Sequence, residues 1–151
     1  MRGWLLDTNV ISELARPRPN ERVIAWLTQL PESRTFVSIL TLGEIDQGVE
    51  ALHPGDERRE RYVGFRSQIE AQFSGRIIPL DDDTIRLWGA LSGQYRRALG
   101  GKAPVVDAML TATAQRRRLH LATRNVSHVR HFGWSAFDPW TENPLDFPIQ
   151  F

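Results

Sequence analysis

Four polar residues that lie far apart in the sequence could together carry metal-dependent chemistry: Asp7, Glu44, Asp107 and Asn125. Three of them supply carboxylate oxygens, and the fourth supplies an amide oxygen. The chain has no cysteine, so thiolate metal sites are excluded. An all-oxygen ligand set favours a hard cation such as Mg²⁺ or Mn²⁺ over zinc. A cation held by carboxylates can activate a water molecule and stabilise charge on a phosphoryl group.

Asp7 stands where ligands usually bind in α/β proteins. It follows the short apolar run Trp4-Leu5-Leu6 and precedes a helical pattern. A buried strand followed by a helix delivers such a residue to the carboxyl edge of a sheet, and ligands bind just outside that edge. Aspartate is also a favoured helix N-cap. A capping role for Asp7 therefore stays open beside a catalytic one, and the two roles are compatible.

Glu44 and Asp107 occupy unusual positions on predicted helices. Glu44 lies off the apolar stripe of its helix, beside Thr41 and Gly48 at helical spacing, where small neighbours leave room around a carboxylate. Asp107 is the one charge before the basic end of a helix that is apolar nearly all round. A charge on a buried helix is costly unless it is paired or bound to metal. The alternatives are a solvated Glu44 and an Asp107 that the helix N-terminus partly compensates.

The elements that must position these residues alternate between strand and helix. Strands are predicted at residues 2–6, 34–38, 76–80, 119–123 and 134–137, and helices at 8–15, 20–30, 39–52, 56–73 and 126–132, with further helices beginning near 84 and 104. This alternation predicts an α/β fold with a parallel sheet covered on both faces. Right-handed crossovers then bring strand ends of one polarity to one edge, where the four polar residues can converge. Because crowded carboxylates repel one another, some of them should have a raised pKa without the cation.

Other residues of chemical interest are assigned to structural roles. Asp81, Asp82 and Asp83 form a run that looks like a metal site, but acidic residues are also favoured at the start of a helix. The basic face of the helix at residues 56–73 is typical of a solvated surface. The histidines His120, His128 and His131 are expected to lie outside the acidic group.

Length and composition describe one ordinary domain. The chain has 151 residues, 41% hydrophobic and 25% charged, and a formal net charge of +1. This length can bury a core, and this charge gives no global field that would attract nucleic acid. The N-terminal apolar run is too short for a signal peptide, and no stretch approaches the roughly 18 apolar residues of a membrane span. We expect a cytoplasmic protein with a domain at residues 1–140 and an extended tail at residues 141–151.

Five motifs in the chain resemble those of the PIN-domain ribonucleases. The resemblance begins at Leu5-Leu6-Asp7-Thr8-Asn9-Val10-Ile11-Ser12-Glu13-Leu14 and continues through Leu42-Gly43-Glu44-Ile45, Val106-Asp107-Ala108 with Ala112-Thr113-Ala114, and Leu121-Ala122-Thr123-Arg124-Asn125-Val126. The ending Phe137-Asp138-Pro139-Trp140 resembles the terminal Asn-Pro-Trp of the FitB-like subgroup of VapC toxins. The motifs stand in the family's order and span most of the chain, which makes the match specific.

This resemblance implies a PIN-like three-layer α/β/α fold with a parallel sheet of about four to five strands. It implies an Mg²⁺-dependent RNA endonuclease, with Mn²⁺ as a possible substitute, that acts as the toxin of a toxin–antitoxin pair. Asp7, Glu44 and Asp107 would bind the metal, and Asn125 would occupy the fourth catalytic position. Thr8, Asn9, Thr123 and Arg124 would orient these groups as a surrounding layer.

The resemblance also implies partners. These are an RNA substrate, a second copy of the chain in a homodimer, and a VapB-like antitoxin. DNA would be contacted only through the antitoxin. The antitoxin's C-terminal segment would lie over the active-site groove. It would either place a cation on the carboxylates and displace the metal or block RNA sterically. The homodimer would use apolar residues such as Trp88, Tyr95 or the Phe-rich tail.

Two departures and two other function classes are part of the prediction. The fourth position often carries aspartate in the family but is neutral Asn125 here, and a further aspartate is replaced around Ser127-His128. Both changes leave a less negative site and put a tightly held second metal in doubt. A non-catalytic binding protein on the same fold is one alternative. A haloacid-dehalogenase-like phosphatase is another, but Asn9 replaces the second aspartate of its Asp-x-Asp motif.

Overall fold

Five short parallel strands form one sheet in the computed structural model, which describes residues 1–150. The sheet order is β3-β2-β1-β4-β5. The strands are β1 (Trp4–Leu6), β2 (Thr35–Ser38), β3 (Ile77–Ile78), β4 (His120–Ala122) and β5 (Ala136–Phe137). Leu6 pairs with Ala122, so β1 and β4 end side by side. The predicted parallel sheet is confirmed, although each strand is shorter than predicted.

Helices cover both faces of this sheet. They are α1 (Thr8–Ile11), α2 (Glu21–Gln29), α3 (Ile39–Ala51), α4 (Arg58–Gln72), α5 (Asp82–Leu99), α6 (Val105–Arg117) and α7 (Val126–His131). Trp4 and Leu6 pack in one core cluster with residues of α1 to α4, whereas Leu5 packs in a second cluster with residues of α6 and α7. Helix α5 packs against α6. The alternation along β1 therefore produces the three-layer α/β/α arrangement.

Capping residues set helix boundaries at both ends of the elements. Asn20 Oδ1 accepts a hydrogen bond from the Val23 amide (3.2 Å) and begins α2. Gly100, at φ 73°, ends α5 in the left-handed conformation, which glycine adopts without strain.

Within residues 1–150, no helix is long and apolar enough to cross a membrane.

The first helix is shorter than the predicted helix at residues 8–15. It is α-helical only over Thr8–Ile11 and continues as a 3₁₀ helix over Ser12–Ala15. Glu13 is buried, and its carboxylate accepts hydrogen bonds from the Asn20 amide (2.8 Å) and the Arg16 guanidinium (2.9 Å). These bonds hold the following loop against the helix end, which favours the tighter 3₁₀ geometry that is common at helix termini.

The C-terminal tail packs against the domain as far as residue 150. It contains one 3₁₀ turn, Pro144–Asp146, and Phe147 packs against the first core cluster. The buried His120 Nε2 donates to the Pro148 carbonyl (3.0 Å), and its Nδ1 accepts from Ser135 Oγ (2.7 Å). Phe151, the last residue of the predicted tail, lies outside the described residues. The tail therefore contributes to the core.

We expect Phe147→Ala to lower the free energy of unfolding by about 2 kcal/mol. Truncating a fully buried phenylalanine costs roughly 3–5 kcal/mol, and Phe147 is half-buried against Trp4, His120 and Phe137. Urea unfolding would measure the change. Leu145→Ala is the matched control, because Leu145 is 84% exposed and its loss should change stability by less than about 0.5 kcal/mol. Equal effects of the two variants would contradict a packed tail.

Candidate active site

Asp7 lies at the carboxyl end of β1 and is held by three donors. Its Oδ1 accepts from the Thr8 amide (2.6 Å) and caps α1. Its Oδ2 accepts from Thr123 Oγ1 (2.6 Å) and from Asn9 Nδ2 (3.3 Å). The cap predicted as an alternative role is therefore present, and the remaining bonds fix the carboxylate at the edge of the sheet.

The polar residues after β4 join this edge to the start of α1. Thr123 Oγ1 accepts a hydrogen bond from the backbone amide of Asn125 (3.0 Å), and Asn9 Oδ1 accepts one from the backbone amide of Arg124 (3.3 Å). Thr123 reaches Asp7 because β1 and β4 are neighbours in register. The Arg124 guanidinium lies over the Trp140 ring, 4.6 Å from its centroid. Arg124 thus contacts the site through its backbone and points its charge toward the tail side.

Thr8 also connects Asp7 to Glu44 on α3. Its Oγ1 donates to Glu44 Oε1 (2.6 Å) and lies 3.0 Å from Thr41 Oγ1. Glu44 is half-buried and is therefore not the freely solvated residue considered from the sequence. One threonine thus fixes two carboxylates, one through its amide and one through its hydroxyl.

Asp107, in the first turn of α6, contacts a histidine. His128 Nδ1 lies 2.6 Å from Asp107 Oδ2, and because a carboxylate accepts, the imidazole N–H donates. The prediction that His128 lies outside the acidic group is wrong, since α7 packs against α6 and brings the two side chains together. His120 is engaged elsewhere, with Ser135 and the tail.

The electrostatics of the site fit a hard cation. Burial raises the pKa of Asp7, the Thr123 hydrogen bond lowers it and the charges of Glu44 and Asp107 raise it, and together these effects bring it from 3.8 to about 6. No ion pair within residues 1–150 joins an arginine or lysine to any of these three carboxylates. Over the same residues, no three His, Cys, Asp or Glu side chains are drawn together into a ready-made metal site. The donor chemistry suits Mg²⁺ or Mn²⁺, and binding would have to draw the carboxylates closer.

A groove leads away from Thr8 and Glu44. It encloses about 450 Å³ between α1, α3 and α4. Its walls include the apolar side chains of Ile45, Leu52 and Phe65, and Arg16 and Arg58 also line it. The groove therefore joins an apolar surface to the acidic site.

Comparison with known proteins identifies the fold family. The protein-family model of the PIN domain matches residues 4–131, which is most of the chain. The chain belongs to the PIN-domain family. The described geometry and this match agree with the resemblance found in the sequence.

This PIN domain is similar to a toxin and to a VapC ribonuclease. It is 35% identical to the toxin FitB of Neisseria gonorrhoeae over 136 residues, which cover 90% of this chain and 97% of FitB. It is 30% identical to the VapC ribonuclease Y4jK of Sinorhizobium fredii over 138 residues, which cover 90% of this chain and 96% of that protein. Among solved structures, FitAB bound to an IR36 DNA fragment matches with a TM-score of 0.83 and 33% identity, over 93% of this chain and 97% of that chain. The FitB-like subgroup predicted from the sequence is thereby confirmed.

The PIN domain brings most of the predicted site residues together. Hydrogen bonds connect Thr8, Asn9 and Thr123 with Asp7, and Thr8 with Glu44. Asn125 lies at the same edge as the N-cap of α7, but its exposed side chain forms no hydrogen bond to any described residue. The sequence interpretation gave no site role to Thr41, which it named only as a small neighbour of Glu44, or to His128, which it placed outside the acidic group. His128 stands three residues after Asn125, one helical turn along α7, and this spacing could have signalled its place.

The acidic run at residues 81–83 belongs to the start of α5, as predicted. Asp81 Oδ1 accepts from the amide (2.8 Å) and the hydroxyl (2.6 Å) of Thr84 and caps the helix. These bonds lower the pKa of Asp81. Asp83 pairs with Arg116 (3.0 Å). Structural partners therefore account for Asp81 and Asp83.

Proposed function

We propose that this PIN-domain protein is an Mg²⁺-dependent RNA endonuclease that acts as the toxin of a toxin–antitoxin pair. The observation that carries the proposal is the position of Asp7 at the sheet edge, where burial first and the charges of Glu44 and Asp107 second raise its pKa to about 6. Such perturbed groups cluster at functional sites. The similarity to a VapC ribonuclease and to the toxin FitB supports the reaction class and the biological role.

Asp7, Glu44 and Asp107 would hold the cation in this proposal. When bound, the cation supplies an activated water and stabilises charge on the phosphodiester. Thr8 orients two of the three ligands at once, since its amide bonds Asp7 and its hydroxyl bonds Glu44. Asn9 and Thr123 hold the second oxygen of Asp7. The backbone of Arg124 steadies Asn9, and the free amide of Asn125 is available to the cation or the RNA phosphate at the fourth position.

Metal-dependent cleavage of RNA is the direct test of this function. We expect the purified protein to cut single-stranded RNA when Mg²⁺ or Mn²⁺ is present and to lose this activity in excess EDTA, with recovery when Mg²⁺ is restored above the chelator. Gel analysis of an end-labelled RNA would separate internal cuts from exonucleolytic shortening. Undiminished cleavage in EDTA would contradict the metal-dependent mechanism, and binding of RNA without cleavage would favour a non-catalytic role.

We propose that the antitoxin partner occupies the groove between α1, α3 and α4. Its apolar walls suit an amphipathic helix, and its acidic end at Glu44 suits a lysine or arginine carried by that helix. The similarity to FitB within FitAB bound to DNA supports a pair in which the antitoxin contacts DNA.

A homodimer stays a prediction. Phe147 and Ile149 are already packed against their own domain, which favours the region of Trp88 and Tyr95 over the tail as its surface.

We expect Mg²⁺ to weaken antitoxin binding. A cationic antitoxin side chain and the metal would compete for the same carboxylates, and such coupling is reciprocal. The measurement is antitoxin affinity by calorimetry across a Mg²⁺ titration, with NaCl at matched ionic strength as the control for screening. Constant affinity across a saturating Mg²⁺ range would show that the antitoxin blocks RNA sterically with the metal in place.

A further inference from the structure

His128 is the side chain that restrains the carboxylate of Asp107. Its Nδ1 donates to Asp107 Oδ2 over 2.6 Å. Within residues 1–150, the Asp107 carboxylate forms no other hydrogen bond. Asp107 Oδ1 therefore remains available for another ligand.

The other two carboxylates show what such a restraint does. Asp7 is fixed by three donors, and Glu44 is fixed by the Thr8 hydroxyl. Asp107 lies in the first turn of α6, where the N-cap residue Pro104 offers no side-chain hydrogen bond. Without His128, no hydrogen bond would hold the Asp107 carboxylate in one orientation, and ordering it would cost entropy whenever a ligand bound.

The position of His128 is itself fixed by packing. It precedes Val129, which is fully buried and belongs to the core cluster on the α6 side of the sheet. Helix α7 packs against both α6 and β5. The imidazole is half-exposed, yet its backbone is anchored on a rigid element, so the donor stays within reach of Asp107.

We propose that His128 is a positioning residue that holds Asp107 in the orientation in which it binds the divalent cation. The inference rests on the proposed metal-dependent function. Groups that orient metal ligands typically contribute about 10- to 100-fold to metal affinity. The imidazole acts by donating one hydrogen bond, so a side chain that keeps a donor at the same place preserves most of the effect.

Mn²⁺ binding to the full chain tests this role without reference to RNA cleavage. Electron paramagnetic resonance titration would compare the wild type with His128→Ala, His128→Asn and His131→Ala. We expect His128→Ala to weaken Mn²⁺ binding at least about tenfold, and His128→Asn, whose amide replaces the Nδ1 donor, to stay within about threefold of the wild type. His131→Ala removes a histidine from the same helix that faces Tyr95 and should leave the affinity unchanged.

Two results would overturn the inference: unchanged Mn²⁺ affinity in His128→Ala, or equal losses in the alanine and asparagine variants. If the alanine variant does not fold, His128→Leu takes its place, because leucine fills similar space without a donor. A wild type that binds Mn²⁺ but cuts no RNA would contradict the proposed function, and the variant affinities would still decide the role of His128. A wild type that cuts RNA, with His128→Ala binding Mn²⁺ normally, would contradict the role of His128 alone.

Discussion

Asp107→Asn and Asp7→Asn are each expected to reduce RNA cleavage by a factor of about 1,000 or more while the protein still folds. Each change removes a negative ligand from the proposed cation site. The charge stabilisation that a bound metal supplies is worth several kcal/mol, and each 1.36 kcal/mol of barrier corresponds to about a factor of ten in rate. Single-turnover cleavage of one RNA at saturating Mg²⁺ would measure the loss.

Asp82→Asn is the matched control for these variants. Asp82 is another aspartate near a helix start, but it is exposed and pairs with Arg86 on α5 (2.8 Å). The same change of charge there should alter cleavage by less than about twofold, since exposed pairs contribute little. Retention of more than a tenth of the activity in Asp107→Asn would remove this residue from the proposed catalytic group.

The fold was predictable because the hydrophobic periodicity of each segment is strong and the connections are short. A run such as Trp4-Leu5-Leu6 followed by an aspartate and a helical pattern determines both a buried strand and the edge at which it ends. Strand lengths were overestimated because the predicted segments included flanking residues, polar as well as apolar, that lie outside the observed strands. At β3, for example, Pro79 follows Ile78 directly, and proline cannot donate to the ladder.

The candidate site was predictable where sequence motifs and strand ends coincide. Asp7 and Thr123 follow neighbouring strands, so parallel pairing alone brings them together. The contact between Asp107 and His128 joins residues 21 positions apart and depends on how α7 packs against α6. Periodicity indicates which face of a helix is buried, but it does not give the angle between two helices or the partner that a side chain meets. The metal-binding roles of Asp7, Glu44 and Asp107 stay predictions.

The 3₁₀ turn after α1 was missed for a related reason. The helical pattern of residues 8–15 is continuous in the sequence. Only the folded chain shows that Glu13 turns inward to bind the amide of Asn20. That bond shapes the loop leading to Arg16 and Pro17, which line the groove beside Glu44. A buried acid with structural partners thus stands only six positions after Asp7 in the sequence, and the sequence alone does not distinguish it from the acids proposed to be catalytic.

In the metal-free protein at pH 7, Asp7→Asn is expected to raise the free energy of unfolding by about 2 kcal/mol. The pKa of Asp7 rises from 3.8 to about 6 on folding, which corresponds to roughly 3 kcal/mol of destabilisation once the group is ionised in both states. Asparagine removes this charge. It keeps an acceptor for the Thr8 amide but replaces the oxygen that Thr123 and Asn9 contact, so we expect part of the gain to be lost.

The pH dependence of this difference gives the sharper measurement. Between pH 4 and pH 6 the folded state binds more protons at Asp7 than the unfolded state does, so this group's contribution to stability falls as pH rises through the folded-state pKa and is nearly constant above about pH 7. Urea unfolding in EDTA should therefore show the wild type losing about 2.4 kcal/mol relative to Asp7→Asn from pH 4 to pH 7, whereas Asp82→Asn should track the wild type. Adding Mg²⁺ at pH 7 should stabilise the wild type by mass action and Asp7→Asn much less. If the stability difference between the wild type and Asp7→Asn did not change with pH, the surroundings of Asp7 would not disfavour its charged form. That result would contradict the electrostatic argument for a cation at this site.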